Sequence, residues 1–487
     1  MLTLASALLV LLAPCQAFAA APYLGYTYNT LGDDVRSVNG YLYEDSLDGY
    51  NMPTGPFNAP EDLFVAPDDT LYVVDTGNSR IVHMTSDGEP IAVIGDTDGP
   101  GKLNEPKGVF VKTDGTVYVA DTKNQRIAVF RADGKFVREL TAPTSPLLGK
   151  DFSYSPSKLI VDKRDYLFVV SDGNTQGLVQ LDPKGNFKGF FGANQVGFSW
   201  KRFLIKLVAT KEQRAQMTTV KPLAFSNVAQ DKEGFIYTTT FGTAYNQIER
   251  LSPVGVDTLN PGAKNRYGDR FVSNDAPFSV PAFADITVND DGLITALDLQ
   301  TCKVFQYDKL GNLLFVFGGS GDQNGLFTTP SAIGESSDGH IYVLDKGLNR
   351  IDRFRITPFA ELVHQASKLY VDGRYKESET MWQQVLYLDA NYDMAYKAIG
   401  KSLFRSERYE EAMRYFKLGH DRYDYSVAFG EYRKIYFRNH FAVIVGLIVL
   451  AYLLVKFGLP WTFRYLRGAF QGSNWKRSVP AKGGKAR

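Results

Sequence analysis

The sequence contains very little cysteine and little histidine. Among its 487 residues there are two cysteines, Cys15 and Cys302, and Cys15 lies in an N-terminal apolar run. The single cysteine that remains beyond this run excludes a disulfide framework. The five histidines are scattered along the chain without the spacing of a zinc site: His83, His340, His364, His420 and His440. We therefore expect no Cys/His metal centre.

The sequence also lacks an excess of charge of either sign. Its 54 basic and 53 acidic residues leave a formal net charge of +1. Proteins that bind nucleic acid through its phosphates carry a marked basic excess, so no nucleic-acid partner is expected. There is no Gly-rich phosphate loop and no nucleophile elbow. These absences move the search for function from short motifs to the fold.

A repeated pattern of short apolar runs dominates the chain. The segment NEPKGVFVKTDGTVYVADTKNQRIAVFRADGKFVREL, residues 104 to 140, contains four such runs with Asp-Gly turns at Asp114-Gly115 and Asp133-Gly134. Asp-Gly between alternating apolar runs favours hairpins, because both central residues of a type I′ turn need positive φ. Four antiparallel strands cannot cover both faces of their own sheet, so the unit requires neighbouring copies.

Copies of this unit are present on both sides. Two strong copies contain LYVVDTGNSRIVHM and IYVLDKGLNRIDRF, and weaker ones begin near Pro156, Ser226 and Pro281. Six units of this kind predict a six-bladed β-propeller. The three strong copies share an Asp followed five positions later by Arg, a pair that we expect to stabilise turns and contacts between blades: Asp75/Arg80, Asp121/Arg126 and Asp345/Arg350.

The segments VYVADTKNQRIAVF, LYVVDTGNSRIVHM and IYVLDKGLNRIDRF resemble the NHL-repeat family. The resemblance covers roughly residues 35–356 and implies a six-bladed propeller, but it specifies no chemistry. The last unit has only three strands before Pro358. Because a propeller hides its edges by pairing the two ends of the chain, we expect residues 40–44 (GYLYE) to supply the missing strand.

Both termini and two insertions carry further signals. Residues 1–21 combine an apolar run with an Ala-rich cleavage site and predict a signal peptide, so the propeller would be exported. Residues 200–208 have apolar positions on one helical face, which suits either a helix on the propeller rim or one at a membrane surface. Residues 254–278 are rich in Gly, Asn and Asp and predict a long loop suited to binding.

Beyond Pro358 the apolar period changes from that of strands to that of helices. Residues 358–430 predict two helix pairs in a repeating register, with Tyr375 matching Tyr409 and Trp382 matching Phe416. This register resembles tetratricopeptide repeats. Because two such repeats are few for a solenoid, we expect them to lean on the propeller, on a following helix or on a partner. They would form either a protein-binding groove or a rigid stalk.

Residues 439–459 form an apolar run long enough to cross a bilayer. The tail that follows, residues 460–487, is basic, and no Asp or Glu occurs after Glu431. The positive-inside rule places this tail in the cytoplasm. We therefore expect a single-pass protein of the cell membrane, with the propeller and helical repeats extracytoplasmic.

Residues near the start of each innermost strand are expected to face the central funnel of the propeller: Glu61, Asp62, Lys107, Ser157, Lys158, Ser226, Asn227, Asp285 and Ser331. Hard cations bind carboxylate and amide oxygens, which Glu61, Asn227 and Asp285 could supply. Six-bladed lactonases of the gluconolactonase type hold one divalent metal with a similar Glu, Asn, Asn and Asp set. In this chain the second Asn is missing and Lys107 or Lys158 intrudes. The alternative is a polar binding funnel formed by Asp62, Lys107, Lys158, Ser226 and Ser331.

The sequence thus favours a non-catalytic role without a cofactor. We expect a membrane-anchored extracytoplasmic binding or scaffolding protein, whose propeller recognises a ligand or a protein partner at the cell surface. The alternative is a metal-dependent hydrolase of the lactonase kind with one divalent cation. A purely structural spacer is the third possibility.

Overall fold

The computed structural model of the chain describes residues 21–50, 52–149, 152–194, 222–262, 264–269 and 280–472. Three predictions therefore lie largely or wholly outside the described residues: the signal peptide, the amphipathic segment 200–208 and the end of the basic tail. The chain divides into two compact units, residues 1–399 and residues 400–487.

The first unit contains a six-bladed β-propeller, as predicted. Blades 1 to 3 are four-stranded, with the strands β4 (Asp62–Val65), β5 (Leu71–Asp75), β6 (Arg80–Met84), β7 (Pro90–Ile94), β8 (Gly108–Val111), β9 (Val117–Asp121), β10 (Arg126–Phe130), β11 (Phe136–Thr141), β12 (Pro156–Val161), β13 (Leu167–Ser171), β14 (Leu178–Leu181) and β15 (Phe187–Phe191). The innermost strands of successive blades lie side by side and enclose a central channel.

Blades 4 to 6 depart from the four-stranded plan. Their own strands are β16 (Phe225–Gln230), β17 (Ile236–Thr240), β18 (Ile248–Leu251), β19 (Phe283–Val288), β20 (Ile294–Asp298), β21 (Lys303–Tyr307), β22 (Leu313–Gly318), β23 (Pro330–Glu335), β24 (Ile341–Asp345) and β25 (Arg350–Ile356). The N-terminal strands β1 (Tyr26–Tyr28), β2 (Asp34–Arg36) and β3 (Tyr41–Leu47) join blades 5 and 6.

The ring is closed by the two ends of the propeller sequence, which confirms the predicted closure. Strand β3 pairs antiparallel with β25, with Tyr43 opposite Phe354 and Ser46 opposite Asp352. Blade 6 thereby gains its fourth strand from the start of the chain. The hairpin β1–β2 was not predicted; it extends the outer edge of blade 5, with Tyr26 opposite Val316.

The outer edge of blade 4 is protected without a fourth strand among the described residues. The Arg250 backbone N–H donates to Asp257 Oδ1 (3.2 Å), and the Arg250 carbonyl accepts from the Thr258 N–H (2.7 Å). Asn260 Nδ2 donates to the Ile248 carbonyl (2.9 Å). The described part of the predicted loop 254–278 therefore satisfies the backbone groups of β18, which would otherwise invite another strand to pair.

Packing between blades accounts for the continuous apolar strands. All five residues of β5 and of β9 are buried. Between blades 1 and 2, Val74, Val109, Val119 and Phe130 belong to one apolar cluster. A strand covered on both faces needs apolar side chains on both, which is why these strands do not alternate with polar residues.

The Asp residues of the three Asp–Arg pairs stabilise turns, as predicted, and in two of the three blades the Arg bonds to the same Asp. Asp121 is fully buried and accepts from the Asn104 N–H, Asn124 Nδ2 and Arg126 Nε, each at 2.8 Å. Asp75 makes equivalent contacts with Arg80. In blade 6 the two residues do not pair with each other: Arg350 lies against Asp352 (2.8 Å), and Asp345 accepts backbone N–H groups of the turn that follows it and of the preceding loop.

A helical region follows the propeller. Counting the last continuous helix as one, it contains five helices: α1 (Pro358–Val371), α2 (Tyr375–Leu388), α3 (Asp393–Arg405), α4 (Tyr409–Leu418), and α5 (Arg422–Leu453) continued through a π-helical turn (Leu454–Gly458) into α6 (Leu459–Gly472). Pro358 at the first turn of α1 and the Thr357 cap explain where this region begins.

The first helix pair packs on the propeller, one of the three supports considered for it. Ser378 Oγ donates to the Ala366 carbonyl (2.9 Å), which joins α2 to α1. Tyr392, fully buried, donates to the Leu314 carbonyl of blade 5 (2.8 Å) and stacks beside Trp382. These contacts, all within residues 1–399, hold the helix pair against blade 5.

The second unit contains the end of α3 from Gly400 onward, helix α4 and the long helix. Gly400 lies directly against the ring of Phe416, so a larger residue there would clash. The helix Arg422–Gly468 includes a window with a mean hydropathy of 2.5 and none of that window is buried. This is the one candidate membrane-spanning helix among the described residues.

Removal of the buried carboxylate in blade 2 should destabilise the propeller. In Asp121→Ala the Arg126 guanidinium and two further donors lose their acceptor, so we expect the free energy of unfolding to fall by about 3 to 5 kcal/mol. The exposed pair Asp98–Lys102 provides the control, and Asp98→Ala should leave the free energy of unfolding nearly unchanged, because water screens this pair. Urea unfolding of the detergent-solubilised chain measures both. Equal effects of the two substitutions would contradict the structural role.

Candidate ligand site in the propeller channel

Six side-chain positions at the start of the inner strands are equivalent. Each pairs with the next-to-last residue of the neighbouring second strand, as the registers of all six blades show. The residues at this level, in blade order, are Asp62, Gly108, Lys158, Asn227, Asp285 and Ala332. We call this set the channel ring. In it Gly108 and Ala332 flank Asp62, and the other three positions, Lys158, Asn227 and Asp285, are polar and consecutive.

Lys158 crosses the channel from blade 3 to blade 1. Its ammonium forms an ion pair with Asp62 and donates to the Glu61 carbonyl (3.2 Å). Blade 2 lies between these two blades and presents Gly108, which has no side chain, at this level. Asp62 also accepts the Val109 N–H (2.9 Å). The ion pair and this bond together connect blades 1, 2 and 3.

Asn227 and Asp285 connect the other side of the ring. Asn227 Nδ2 donates to Asp285 Oδ1 (2.6 Å) and to the Ala284 carbonyl (3.0 Å). Asp285 Oδ2 accepts the Ile333 N–H (2.7 Å) of blade 6. The oxygen of Asn227 accepts the Val228 N–H (2.6 Å). Both side chains therefore use their polar atoms to hold neighbouring blades together.

Burial and the single ammonium determine the charge of the ring. Burial raises the pKa of Asp285 to about 7, although the Lys158 charge opposes this shift. Burial also raises the pKa of Asp62. For Lys158, burial alone would lower the pKa, but the carboxylates of Asp62 and Asp285 more than compensate and raise it. Lys158 is therefore charged near neutral pH, while Asp285 lies close to its titration midpoint.

The remaining predicted funnel residues do not converge on the channel ring. Glu61 forms an ion pair with Lys346, and Lys107 donates to Asp172 (2.9 Å). The small side chains bond to backbone or to their own blade: Ser157 to the Val170 carbonyl (3.3 Å), Ser226 to Thr239 Oγ1 (2.8 Å) and Ser331 to the Pro60 carbonyl (3.0 Å). They are one position before the ring, and successive side chains on a strand point in opposite directions.

The ring as it stands does not fit a divalent cation. Asn227 and Asp285 are brought together, but Glu61 is not, and the Asn227 oxygen is already bonded to a backbone N–H. The ammonium of Lys158 lies where positive charge would be placed. Within the described ranges no group of three or more His, Cys, Asp or Glu residues is arranged to hold a metal. Metal binding by Glu61, Asn227 and Asp285 stays a prediction.

A cavity of about 670 Å³ lies in the channel on the side of the ring toward the ends of the inner strands. Helix α1 contributes Glu361 and His364 to its lining. Its apolar walls include Phe64, Phe110, Ile160, Val228 and Ile286. Every charged side chain in the described lining other than the histidine is a carboxylate: Asp62, Asp69, Asp285, Asp290, Asp291, Glu335, Asp338 and Glu361.

Two of the groups in this cavity were not predicted from the sequence. Glu335 accepts from Asn289 Nδ2 (2.8 Å) and Thr295 Oγ1 (3.4 Å), and burial raises its pKa to about 7. His364 donates from Nε2 to Gln306 Oε1 (2.7 Å), and burial lowers its pKa to about 4, so it is neutral at neutral pH.

A signal for Glu335 was nonetheless present in the sequence. The inner strands end at Val65, Val111, Val161, Gln230, Val288 and Glu335. Glu335 is the one acid among these six ends, of which four are valine and one is glutamine. An acid is not needed for packing of the channel wall, so its presence indicates another role. His364 gave no such signal, because its place in the cavity depends on how α1 docks.

The raised pKa of Glu335 predicts a pH dependence of stability. The folded chain holds this proton more tightly than the unfolded chain, in which the pKa returns to about 4.5. The stability that this provides is complete below that value and is lost as pH rises through about 7. Over this pH window the free energy of unfolding of wild type should fall by on the order of 3 kcal/mol relative to that of Glu335→Gln, which has no such proton.

Urea unfolding of both proteins at pH 5 and pH 8 measures this difference directly. Glu89→Gln, at an exposed turn, is the matched control and should follow wild type. Parallel pH profiles for wild type and Glu335→Gln would show that the Glu335 carboxyl does not titrate as described.

Comparisons with known proteins bear on the fold. The NHL repeat family model matches residues 103–130, which confirms the resemblance for blade 2. No curated protein matches the sequence. Three similar solved structures are virginiamycin B lyase from Staphylococcus aureus (12% identity, 64% of this chain and 99% of that chain, TM-score 0.40), a proposed gluconolactonase (13%, 62% and 89%, 0.39) and the WD40 propeller domain of Doa1 (13%, 66% and 99%, 0.40). None of these likenesses carries information about the activity of this chain.

Proposed function

We propose that the chain is a membrane-anchored binding protein, and that its propeller holds a ligand in the central channel without transforming it. The observation that carries this proposal is the ion pair between Lys158 and Asp62. The channel ring contains its own cation, the Lys158 ammonium. Its other polar side chains, Asn227 and Asp285, form hydrogen bonds that connect neighbouring blades. The space next to it is a cavity of 670 Å³, a size common among sites for small ligands.

The alternative of a metal-dependent hydrolase receives no support from the ring. A metal acts in hydrolysis as a Lewis acid with an open coordination position or as a source of hydroxide. The Asp285 carboxylate accepts three hydrogen bonds from Asn227, Ile286 and Ile333. The Lys158 ammonium repels a second cation at the distance of an ion pair. The polar groups of the ring therefore serve to hold neighbouring blades together.

Metal analysis of the purified full-length chain tests the non-catalytic half of the proposal. We expect no stoichiometric divalent metal in wild type, since the ring already contains an ammonium, and no metal-stimulated hydrolysis of simple lactones. The variants Asn227→Ala and Asp285→Ala should not change either result. One bound divalent ion per chain that is lost in Asp285→Ala but kept in Asp69→Ala would favour the hydrolase instead.

We also propose that the helical region consists of two tetratricopeptide-like repeats. The notable support is a repeated contact: Ala366 lies against α2 through Ser378, and Gly400, its counterpart in the predicted register, lies against Phe416 of α4. Each contact places a small residue where two helices meet. The repeats would tether the propeller to the membrane and offer a surface to a protein partner at the cell surface.

The proposed topology places the propeller outside the cytoplasmic membrane and the basic tail inside. Support comes from the long apolar helix, which is exposed along its hydropathic window, and from the basic residues that follow it in the sequence. Trp461 and Tyr465, which stack on each other after the apolar stretch, suit the interface between lipid and water.

Site-specific labelling tests this topology. Tyr387 is highly exposed on α2, and Cys302 is buried, so an introduced Tyr387→Cys should dominate the labelling of an intact cell by a membrane-impermeant maleimide. Ser473→Cys, beyond the long helix, should react only after the membrane is permeabilised. Wild type provides the background from Cys302. Labelling of Ser473→Cys in intact cells would reverse the proposed orientation.

A further inference from the structure

The cavity beside the channel ring is open to solvent at the strand-end side. Pro67, Asp290, Ser337 and Glu361, which belong to its lining, are exposed side chains. At the other end the cavity reaches Asp62, Asn227 and Asp285 of the ring. A small molecule could therefore enter from the strand-end side and reach groups deep in the propeller.

The walls of the cavity are suited to a ligand with an apolar body. Phe64 and Phe110 lie edge to face with ring centres 5.2 Å apart, and neither is fully buried. Aliphatic side chains from the other inner strands complete the wall. Aromatic faces also attract cations, because the ring carries negative charge density above its plane.

Four of the carboxylates at the rim already have partners. Asp290 lies 3.9 Å from Lys232, Asp291 pairs with Lys368 (2.5 Å), and Asp338 pairs with His340 (2.9 Å). Asp69 accepts the Ser337 N–H (2.7 Å). Asp290, Asp291 and Asp338 therefore have a basic side chain beside them without a ligand, and Asp69 is bonded to the turn of blade 6.

The deeper acids differ from the rim. Glu335 has only the neutral donors Asn289 and Thr295 as partners, and no Lys or Arg of the described chain lies within ion-pair distance of it. Asp285 likewise has only neutral donors in hydrogen-bond contact. Lys158, the cation of the ring, is already bonded to Asp62. A deep carboxylate without a cation is costly to ionise, and a cationic ligand would remove that cost.

The arrangement discriminates between classes of ligand. Anions are disfavoured, because the charged groups of the lining are carboxylates. A metal ion needs several oxygens converging within bonding distance, which the described acids do not provide. A bulky organic cation needs a carboxylate at one point and an apolar wall around its carbon atoms, and both are present.

We propose that this cavity binds a small organic ammonium compound, whose charged nitrogen lies against Glu335 and whose carbon skeleton packs on Phe64 and Phe110. The assignment rests on the proposed binding function and names the chemical class of its ligand. The predicted funnel residues Lys107, Ser226 and Ser331 are not in the lining of this cavity and take no part in the binding.

Calorimetric titration of the full-length chain in a non-ionic detergent tests the assignment. The probes are choline and putrescine, with the neutral isostere of choline, in which carbon replaces nitrogen, as the comparison ligand. We expect saturable binding of at least one ammonium probe and none of the neutral isostere. Glu335→Gln keeps the shape of the side chain and removes its charge, so it should weaken binding at least about tenfold.

Two further variants control for folding and for general charge. Asp285→Asn should also weaken binding, and Glu89→Gln, whose carboxylate is exposed and outside the cavity, should leave it unchanged. All variants should melt cooperatively before they are titrated; Glu335→Gln alone suffices if Asp285→Asn fails to fold. Equal binding of the neutral isostere, or unchanged affinity in Glu335→Gln, would overturn the assignment.

The outcomes separate this assignment from the proposed function. If calcium or magnesium binds to the wild-type chain and neither ammonium probe does, the cavity is a metal site and the ammonium assignment is wrong. If no ammonium probe binds while wild type contains no metal and hydrolyses no lactone, only the ligand class fails. Stoichiometric metal together with hydrolysis would remove the binding function itself.

Discussion

The antiparallel pairing of β3 with β25 is the constraint on which the channel depends. It joins residues near position 43 to residues near position 354 and holds all six inner strands in one ring. The curvature of the ring brings Lys158 of blade 3 to Asp62 of blade 1, and it brings Asp285 to the backbone of blade 6. The loop closed by this pairing is long, so its entropic cost is met by apolar packing between every pair of neighbouring blades.

The sequence predicts this architecture well because its signals are local and repeated. Asp-Gly turns and short apolar runs recur, and the three-stranded last unit requires a strand from elsewhere. The hairpin β1–β2 carried no such signal, since its strands are short and Tyr26 pairs with a distant edge. The pairing of Arg350 with Asp352 instead of Asp345 also depends on tertiary context. Both carboxylates are close to Arg350 in the sequence, so the sequence alone does not decide between them.

The channel ring was only partly predicted, and the reason is geometric. Side chains on a strand alternate, so an error of one residue selects the opposite direction. Blades 3 to 6 have a register shift next to the ring position, between Pro156 and Lys158 in blade 3 and between Pro330 and Ala332 in blade 6. Such bulges redirect a side chain without changing the apolar pattern. In blade 1 the ring residue is Asp62, which pairs with Val74, and Glu61 lies one position before it.

Two acids that line the channel, Asp62 in the ring and Glu335 at the end of β23, differ in how the cost of their buried charge is met. At Asp62 the chain supplies its own cation, Lys158, from the other side of the channel, and the pair needs nothing further. At Glu335, the last residue of β23, the chain supplies only the neutral donors Asn289 and Thr295 of blade 5. Burial without a cation raises the pKa of this acid to about 7. A propeller that needed only stability would place an apolar residue there. Four of the other five inner strands do so, with Val65, Val111, Val161 and Val288 at their ends. The retained acid is therefore better explained by something that enters the cavity than by packing of the channel wall.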